Sequence, residues 1–143
     1  MSLPKREWPV KQLRRARFPC YYEWLEHGMR FAMVIHGTHK SLVEEYRRVT
    51  GKESGKMYGF NIGPTDKDGK KYAAVVHFHY RNLMPYIVVH ECVHAALCAC
   101  RQRYRRFDAR RKHHEEYLCL WVHRLCRHSF QVLHDAGYWK GKR

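Results

Sequence analysis

The segment His90-Glu91-Cys92-Val93-His94 combines two imidazoles and one carboxylate at a spacing that suits metal chemistry. Histidines at positions i and i+4 of an α-helix lie one turn apart on one face, so both rings can bind the same zinc ion. Glu91 then lies beside the open coordination position, where its carboxylate can take a proton from an activated water and return it to a leaving amine. The motif predicts zinc-dependent hydrolysis, with His90 and His94 as ligands and Glu91 as the general base.

A catalytic zinc site usually has a third protein ligand, and the chain offers four candidates after the motif. Glu115 and Glu116 follow His94 by about twenty residues, enough for a turn and an antiparallel helix that returns one carboxylate to the metal. His113 and His114 directly precede them and are alternative ligands. We therefore expect two histidines, one glutamate and an open coordination position.

The choice between Glu115 and Glu116 depends on which face of the second helix is buried. Helical periodicity aligns Glu115 with the apolar positions Leu118 and Val122, which favours Glu115. Glu116 shares its face with Leu120. One glutamate could bind the metal while the other orients a histidine ligand, and spacing alone leaves their order open.

Hydrophobic periodicity and turn signals predict the strands and helices that must position these residues. We expect strands at 18–24, 31–36, 57–62 and 71–80, and helices at 38–50, 86–99 and 113–135. Pro85 suits the first turn of the motif helix, and Gly51 suits the C-terminal cap of the first helix. Ser41 and Glu44 have the spacing of an N-terminal capping box.

The predicted motif helix is continuously apolar except at His90, Glu91 and His94, so we expect it to be buried. Unpaired ionisable groups inside a protein are costly, and a bound metal would compensate for that cost. This context favours a metal site over three unrelated polar residues.

The strand at 71–80 is expected to form a hairpin with the strand at 57–62 through the turn-rich segment 63–69. Val76 and Phe78 alternate with His77 and His79 along it. This alternation predicts one apolar face and one solvated face that carries the histidines.

Length and composition indicate one globular domain. The chain has 143 residues, of which 45% are hydrophobic and 14% aromatic, and this excludes a disordered chain. We expect the domain at 18–137, between a basic N-terminal arm at 1–17 and a basic tail at 138–143. The longest apolar runs are far shorter than the roughly 20 residues that cross a bilayer, so we expect no membrane partner.

The six cysteines include no C-x-x-C pair, which argues against a zinc finger or a thioredoxin-like site. With no secretory signal in the sequence, they indicate a reducing compartment. We expect a cytoplasmic protein with buried thiols.

The charge is compatible with a nucleic acid, an anionic membrane or an acidic protein as partner, because 28 Lys and Arg against 13 Asp and Glu give a formal net charge of +15. A dense basic segment joins the two predicted metal-bearing helices, with Tyr104 and Phe107 interleaved as candidates for stacking on bases. Together with the basic arm, it is the candidate nucleic-acid-binding region. Its basic residues are Arg101, Arg103, Arg105, Arg106, Arg110, Arg111 and Lys112.

The sequence resembles a known family in two stretches, V-V-H-E-C-V-H-A-A at 88–96 and H-H-E-E-Y-L-C-L-W-V at 113–122. Preceded by a strand and a hairpin, they are similar to small gluzincin-type zinc metallopeptidases, especially uncharacterised ones of bacteriophages and prophages. The similarity of pattern covers about 18–130. More distantly, the chain resembles SprT-like proteases and the metallopeptidases that inactivate phage repressors.

This resemblance implies an α+β, minimal zincin-like fold: a small mixed sheet with a hairpin, one covering helix, the motif helix and a third-ligand helix. In that family the third ligand is a glutamate followed three residues later by a small residue, which Glu116 and Cys119 match and which favours Glu116. The resemblance also implies a protein or peptide substrate, extended along the strand edge at 72–80. A phage-encoded protein would act in the host-cell cytoplasm.

Two functions of other classes remain open. In the first, the metal site is structural or vestigial, and the positive charge serves nucleic-acid binding. In the second, the zincin scaffold is kept by a protein that docks onto a host enzyme and inhibits it.

Overall fold

The structure is a computed structural model that describes residues 18–139, so the predicted arm at 1–17 and residues 140–143 of the tail lie outside the described residues. Within residues 18–139, six strands and three helices follow one another. The strands are β1 (Cys20–Glu26), β2 (Met29–His36), β3 (Gly59–Ile62), β4 (Thr65–Lys67), β5 (Lys70–Tyr72) and β6 (Ala74–His79), and the helices are α1 (His39–Thr50), α2 (Pro85–Arg103) and α3 (Lys112–Asp135). A 3₁₀ turn at Tyr80–Asn82 connects β6 to α2.

Four strands form a mixed sheet in the order β1-β2-β6-β3, in which only the β2–β6 pair is parallel. The prediction of an α+β protein with a small mixed sheet is confirmed. The expected pairing between 57–62 and 71–80 is present, because β3 runs antiparallel to β6. The single strand predicted at 71–80 is wrong, since the chain breaks at Ala73, whose N–H donates to the Arg30 carbonyl at 2.7 Å. The turn predicted at 63–69 contains β4, which pairs with β5 as a separate hairpin.

The free edge of the sheet differs from the expected one. Because β6 pairs with β2 on one side and β3 on the other, the segment at 72–80 cannot offer its edge to a substrate. Among the described residues, the outer strand on this side of the sheet is β3. Periodicity could not reveal this, because which neighbours a strand acquires depends on residues distant in sequence.

Helices cover both faces of the sheet. Along β2, Phe31, Met33 and Ile35 join the main core, which includes residues of α2 and α3, whereas Val34 belongs to the opposite face. On that opposite face Tyr46 of α1 packs edge-on against the Phe60 ring of β3, at 5.3 Å between ring centroids. Layers on both sides leave the inner strands little contact with water.

The solvated face predicted for His77 is therefore wrong. His77 is 4% exposed and stacks on Phe60, with 4.3 Å between ring centroids. His79 is half-buried at the end of β6. Because helices cover both faces of the sheet, the face of β6 that the alternation predicted to be solvated is buried.

Helix α1 occurs where expected, but a different residue caps it. The Ser41 N–H donates to Thr38 Oγ1 at 3.0 Å, so Thr38 is the N-cap and the predicted capping box of Ser41 and Glu44 is wrong. Gly51 ends the helix in the left-handed region with φ of 70°, as predicted.

Helices α2 and α3 pack against each other and against the sheet. Pro85 opens α2 as expected, but the helix continues to Arg103, beyond the predicted end. In α3 the buried positions are His114, Trp121, Leu125, His128, Ser129, Val132 and Leu133. Of the stripe predicted through Glu115, Leu118 and Val122, the position of Glu115 is wrong because that residue is exposed, whereas Leu118 and Val122 are half-buried and pack against the core. The buried positions also include two histidines and a serine, which hydrophobicity could not identify.

The end of the described chain is part of the packed domain. Tyr138 and Trp139, which the sequence placed in the tail, pack against the main core. The Trp139 indole N–H donates to the carbonyl of Leu83, and this ties the end of the chain to the start of α2. None of the described helices is long and apolar enough to span a membrane.

Candidate metal centre

His90, Glu91 and His94 lie together on α2, with one potential ligand atom of each within 4.8 Å of the others. The Nε2 atoms of His90 and His94 are 3.2 Å apart. Glu91 Oε1 is 3.9 Å from His90 Nε2. These three residues form the group of metal-binding side chains expected from the i, i+4 spacing.

The two rings are bent towards one common position. Between His90 and His94 the nitrogens are 3.2 Å apart and the ring centroids 4.9 Å apart. In a second pair, His36 and His77, the nitrogens are closer at 3.0 Å but the centroids are farther apart at 5.3 Å. The second pair is thus aligned end to end, as in a hydrogen bond, whereas the first converges. Two nitrogens on one tetrahedral zinc ion lie about 3.4 Å apart, close to the separation of the converging pair.

Burial separates the carboxylate from the histidines. Glu91 is 5% exposed, whereas the His90 side chain is 68% exposed and His94 is also exposed. The expectation that the whole motif is buried is therefore wrong. Only the faces of α2 that touch the sheet and α3 are buried, and the histidines lie on its open face. A substrate can approach this face from solvent.

The Glu91 side chain lies between its own helix, α2, and strand β3. A Cβ placed on Gly59 would lie 3.4 Å from Glu91 Cγ and 2.8 Å from the His77 carbonyl oxygen. The Asn61 side-chain amide donates to Cys98 Sγ at 3.4 Å, a second contact between β3 and α2. These contacts place the free edge strand directly beside the motif.

The Glu91 carboxyl lies in an apolar environment. Its Oε2 atom is buried and has no hydrogen-bond partner among the described residues. Burial raises the pKa of this carboxyl above its ordinary value, and the nearby His90 acts in the opposite direction. An unpartnered carboxylate oxygen is costly to bury, and a cation or a water in the adjacent site would compensate for the cost.

The candidate third ligands lie outside the His90–Glu91–His94 group. Glu115 and Glu116 are both exposed, and Glu116 Oε1 forms an ion pair with Lys112 Nζ at 3.4 Å. His113 is also exposed. The buried His114 instead organises the loop before α3, where its Nδ1 accepts the Asp108 N–H at 3.0 Å. The identity of the third ligand therefore stays a prediction from the sequence.

All seven basic residues of the segment 101–112, which includes the end of α2 and the first residue of α3, are exposed, as a nucleic-acid-binding role requires. The suggested role of Tyr104 and Phe107 as base-stacking residues is not supported, because both rings are half-buried and stack on His114. Arg101 lies close enough to the site for its charge to lower the pKa of His94, after the larger effects of burial and His90.

Sequence reasoning missed a buried polar chain on the other face of the sheet. His36 Nδ1 is 2.9 Å from Ser41 Oγ, and His36 Nε2 is 3.0 Å from His77 Nδ1. These residues, with Glu45 and Arg48, line a cavity of about 250 Å³ under α1. Burial, and next the neighbouring His36, lower the pKa of His77 to about 3. No spacing signal connects residues that meet only after the sheet has formed.

Gly59 is the other residue that the sequence did not single out. A glycine at the start of a strand gives no indication of the close approach that Glu91 makes to it.

Comparisons with protein-family models, with curated proteins and with solved structures find no match. Function is therefore inferred from the geometry of the site, whose three side chains could hold a metal ion.

Proposed function

We propose that this protein is a zinc-dependent metallopeptidase of the gluzincin type that hydrolyses peptide bonds. The observation that carries the proposal is the convergence of His90 and His94 Nε2 on one position, with the Glu91 carboxylate beside it. Two imidazoles and a neighbouring carboxylate are a donor set that zinc accepts. The exposed histidine face leaves room for a further ligand and for a substrate.

The residues of the site have separate roles in the proposed hydrolysis. His90 and His94 would hold a zinc ion, whose Lewis acidity would lower the pKa of water towards neutrality and polarise a peptide carbonyl. Glu91 takes the proton from the attacking water and later delivers it to the leaving amine, so one carboxyl group acts first as base and then as acid. Its burial against Gly59 keeps the carboxylate beside the reacting atoms instead of free in solvent.

The substrate is a protein or peptide segment in extended conformation. Strand β3 presents its free edge next to Glu91, so it replaces the segment at 72–80 as the proposed docking edge. An extended segment that pairs with β3 would use its unpaired backbone groups. Asn61 and Gly63 on this side of the fold already contact Cys98 of the motif helix, which keeps the edge in place.

A cytoplasmic setting, and the host-cell cytoplasm for a phage-encoded or mobile-element-encoded protein, is part of the proposal. All six cysteines are free thiols. Free thiols, three of them buried, suit a reducing compartment.

The test is peptide hydrolysis by the full chain reconstituted with zinc, followed by mass spectrometry on a mixture of denatured proteins. Glu91→Gln should retain zinc but lower turnover by about 10²–10⁴-fold, the usual contribution of a general base. Glu44→Gln, at an exposed position on α1, is the matched control and should retain activity. Hydrolysis that persists unchanged in the Glu91 variant contradicts the proposed mechanism.

A second candidate function is nucleic-acid binding on a scaffold whose metal is structural. It is favoured by the seven exposed basic residues of the segment 101–112. Binding that is intact while no peptide is cleaved by the zinc-loaded protein would favour this candidate. Tight binding to a host enzyme that survives His90→Ala would instead favour the inhibitor.

A further inference from the structure

The loop that joins α2 to α3 carries a concentrated positive charge. Residues 101–112 include seven basic residues and one acid, Asp108, and all seven basic side chains are exposed. We call this surface the basic loop. Most of its cations are arginines, and only Lys112 is a lysine.

Most of this charge is not neutralised by neighbours. Asp108 is engaged by Arg110, with Nε–Oδ1 and Nη2–Oδ2 distances of 3.0 Å each. Lys112 pairs with Glu116 at 3.4 Å. No described carboxylate forms an ion pair within 4.0 Å with the remaining five, which are Arg101, Arg103, Arg105, Arg106 and Arg111. Five guanidinium groups therefore remain available to an anionic partner.

The basic loop is built around His114. The Tyr104 ring stacks on His114 at 3.9 Å between centroids, and the Phe107 ring lies nearly parallel to it at 5.6 Å. The Asp108 N–H donates to His114 Nδ1 at 3.0 Å. Because the rings and the buried histidine occupy the inside of the loop, the arginine side chains are presented outwards from an ordered backbone.

The chemistry of the surface favours phosphate as its ligand. Guanidinium groups match phosphate oxygens through two parallel hydrogen bonds, which lysine cannot form. Residues 101–112 expose no large hydrophobic side chain. Protein interfaces need buried aromatic or aliphatic anchors, and amphipathic segments that insert into a membrane surface need an apolar face. A surface of charge alone fits the regularly spaced phosphates of a nucleic acid.

The loop further favours a duplex over a single strand. Binding of single strands relies on aromatic rings that stack on successive bases. Here Tyr104 and Phe107 are committed to His114 and are only half-exposed. A duplex keeps its bases stacked inside and offers two phosphate backbones, so guanidinium contacts are sufficient.

The basic loop lies close to the candidate metal centre. Arg101 follows His94 by seven residues on the same continuous helix, and this spacing returns to the same face two turns later. Seven residues of α-helix correspond to about 10 Å along the axis. A partner bound to the loop would therefore lie within reach of the exposed histidine face.

We propose that the basic loop binds the phosphate backbone of a nucleic-acid duplex, without sequence specificity, beside the candidate metal centre. The inference does not depend on peptide hydrolysis, because it concerns residues outside the His90–Glu91–His94 group. Binding is therefore measured separately, on the full chain without added metal and again on the Glu91→Gln variant.

The experiment measures binding of a short fluorescent DNA duplex by anisotropy at salt concentrations from about 50 to 200 mM, the range in which counterion release is visible. The loop variant combines Arg105→Ala, Arg106→Ala and Arg111→Ala. Each lost phosphate contact lowers the slope of log K against log salt by about 0.9, so we expect the slope to fall by about 2–3 and affinity at low salt to fall about tenfold or more.

A matched control removes the same charge elsewhere, through Lys52→Ala, Lys56→Ala and Lys71→Ala, which are all exposed. This control should change the slope of log K against log salt by less than about 0.9, the value that corresponds to one phosphate contact. A variant that combines Arg105→Lys, Arg106→Lys and Arg111→Lys should recover most of the slope. Circular dichroism checks that each variant is folded. Equal losses in the loop and control variants would overturn the proposal, as would absence of duplex binding by the wild type.

Two further arms test the identity of the ligand. A duplex RNA of the same sequence shows whether the backbone type matters, and tight binding to either duplex supports the proposal. Stronger binding to the single strand, or equal binding to vesicles that contain phosphatidylserine, would overturn it.

Discussion

The backbone of Gly59 lies directly against the Glu91 side chain, where an added Cβ would be 3.4 Å from Glu91 Cγ and 2.8 Å from the His77 carbonyl oxygen. An edge strand thus determines how much space the proposed catalytic base has. The contact also links β3 to the motif helix.

Replacement of Gly59 tests this relationship. Gly59→Ala should push β3 away from β6, because the added Cβ would lie 2.8 Å from the His77 carbonyl oxygen, and should destabilise the fold by about 1–3 kcal/mol, the usual cost of overpacking. We expect turnover to fall while zinc content is unchanged, since neither histidine touches this position. Gly55→Ala is the control, because a Cβ there would meet nothing within 4 Å. Equal activity of the two variants would show that the close approach has no catalytic importance.

Zinc content of single variants tests the ligand set. His90→Ala and His94→Ala should each remove stoichiometric zinc, because each supplies one of the two converging nitrogens. The family resemblance predicts that Glu116→Ala also weakens zinc binding, by at least about tenfold, whereas Glu115→Ala does not. Elemental analysis after dialysis against a weak chelator provides the measurement.

Retention of zinc in both glutamate variants would refute Glu115 and Glu116 as third ligands. That outcome would agree with the exposed positions of Glu115 and Glu116 outside the converging group. His113→Ala would then be the next variant to analyse.

The free energy of unfolding should decrease in acid because of the buried His36–His77 pair. The pKa of His77 is lowered to about 3 in the folded protein from an ordinary 6.5, mainly by burial and next by His36. As the pH falls below 6.5, the unfolded chain binds a proton that the folded chain excludes. The free energy of unfolding therefore decreases by up to about 1.4 kcal/mol per pH unit for this group between pH 6.5 and 3.

His77→Phe should remove this part of the pH dependence while keeping a ring that stacks on Phe60. Urea unfolding at several pH values gives the measurement. A dependence from His128 remains, since burial also lowers the pKa of that residue to about 3. The exposed His134→Phe is the control and should leave the wild-type slope unchanged. If the His77→Phe variant is as sensitive to acid as the wild type, the assignment to His77 is contradicted.

Trp121 should carry a large share of the stability that positions α3. It is 0% exposed and packs against Phe31 of β2 with 5.3 Å between ring centroids. Trp121→Ala should lower the free energy of unfolding by about 3–5 kcal/mol, because it leaves a large cavity between α3 and the sheet. The neighbouring Leu120→Ala, at a side chain that is 41% exposed, should cost under about 0.5 kcal/mol. Denaturant melts of the two proteins compare them directly.

The sequence alone determined the features that depend on neighbours within a turn or two of helix. The spacing of His90 and His94 placed both rings on one face, Pro85 marked the start of α2, and Gly51 marked the end of α1. The α+β class followed equally from local periodicity. Such features are encoded in short segments, because helix geometry repeats every few residues.

Only the tertiary structure decided which faces are buried and which strand is free. Parallel pairing of β6 with β2 placed His77 in the interior, and β3 rather than β6 became the edge beside Glu91. Likewise His114 became the buried centre of the basic loop, although the sequence favoured burial of Glu115 instead. These outcomes depend on contacts between residues far apart in sequence, and no local pattern of hydrophobicity records them.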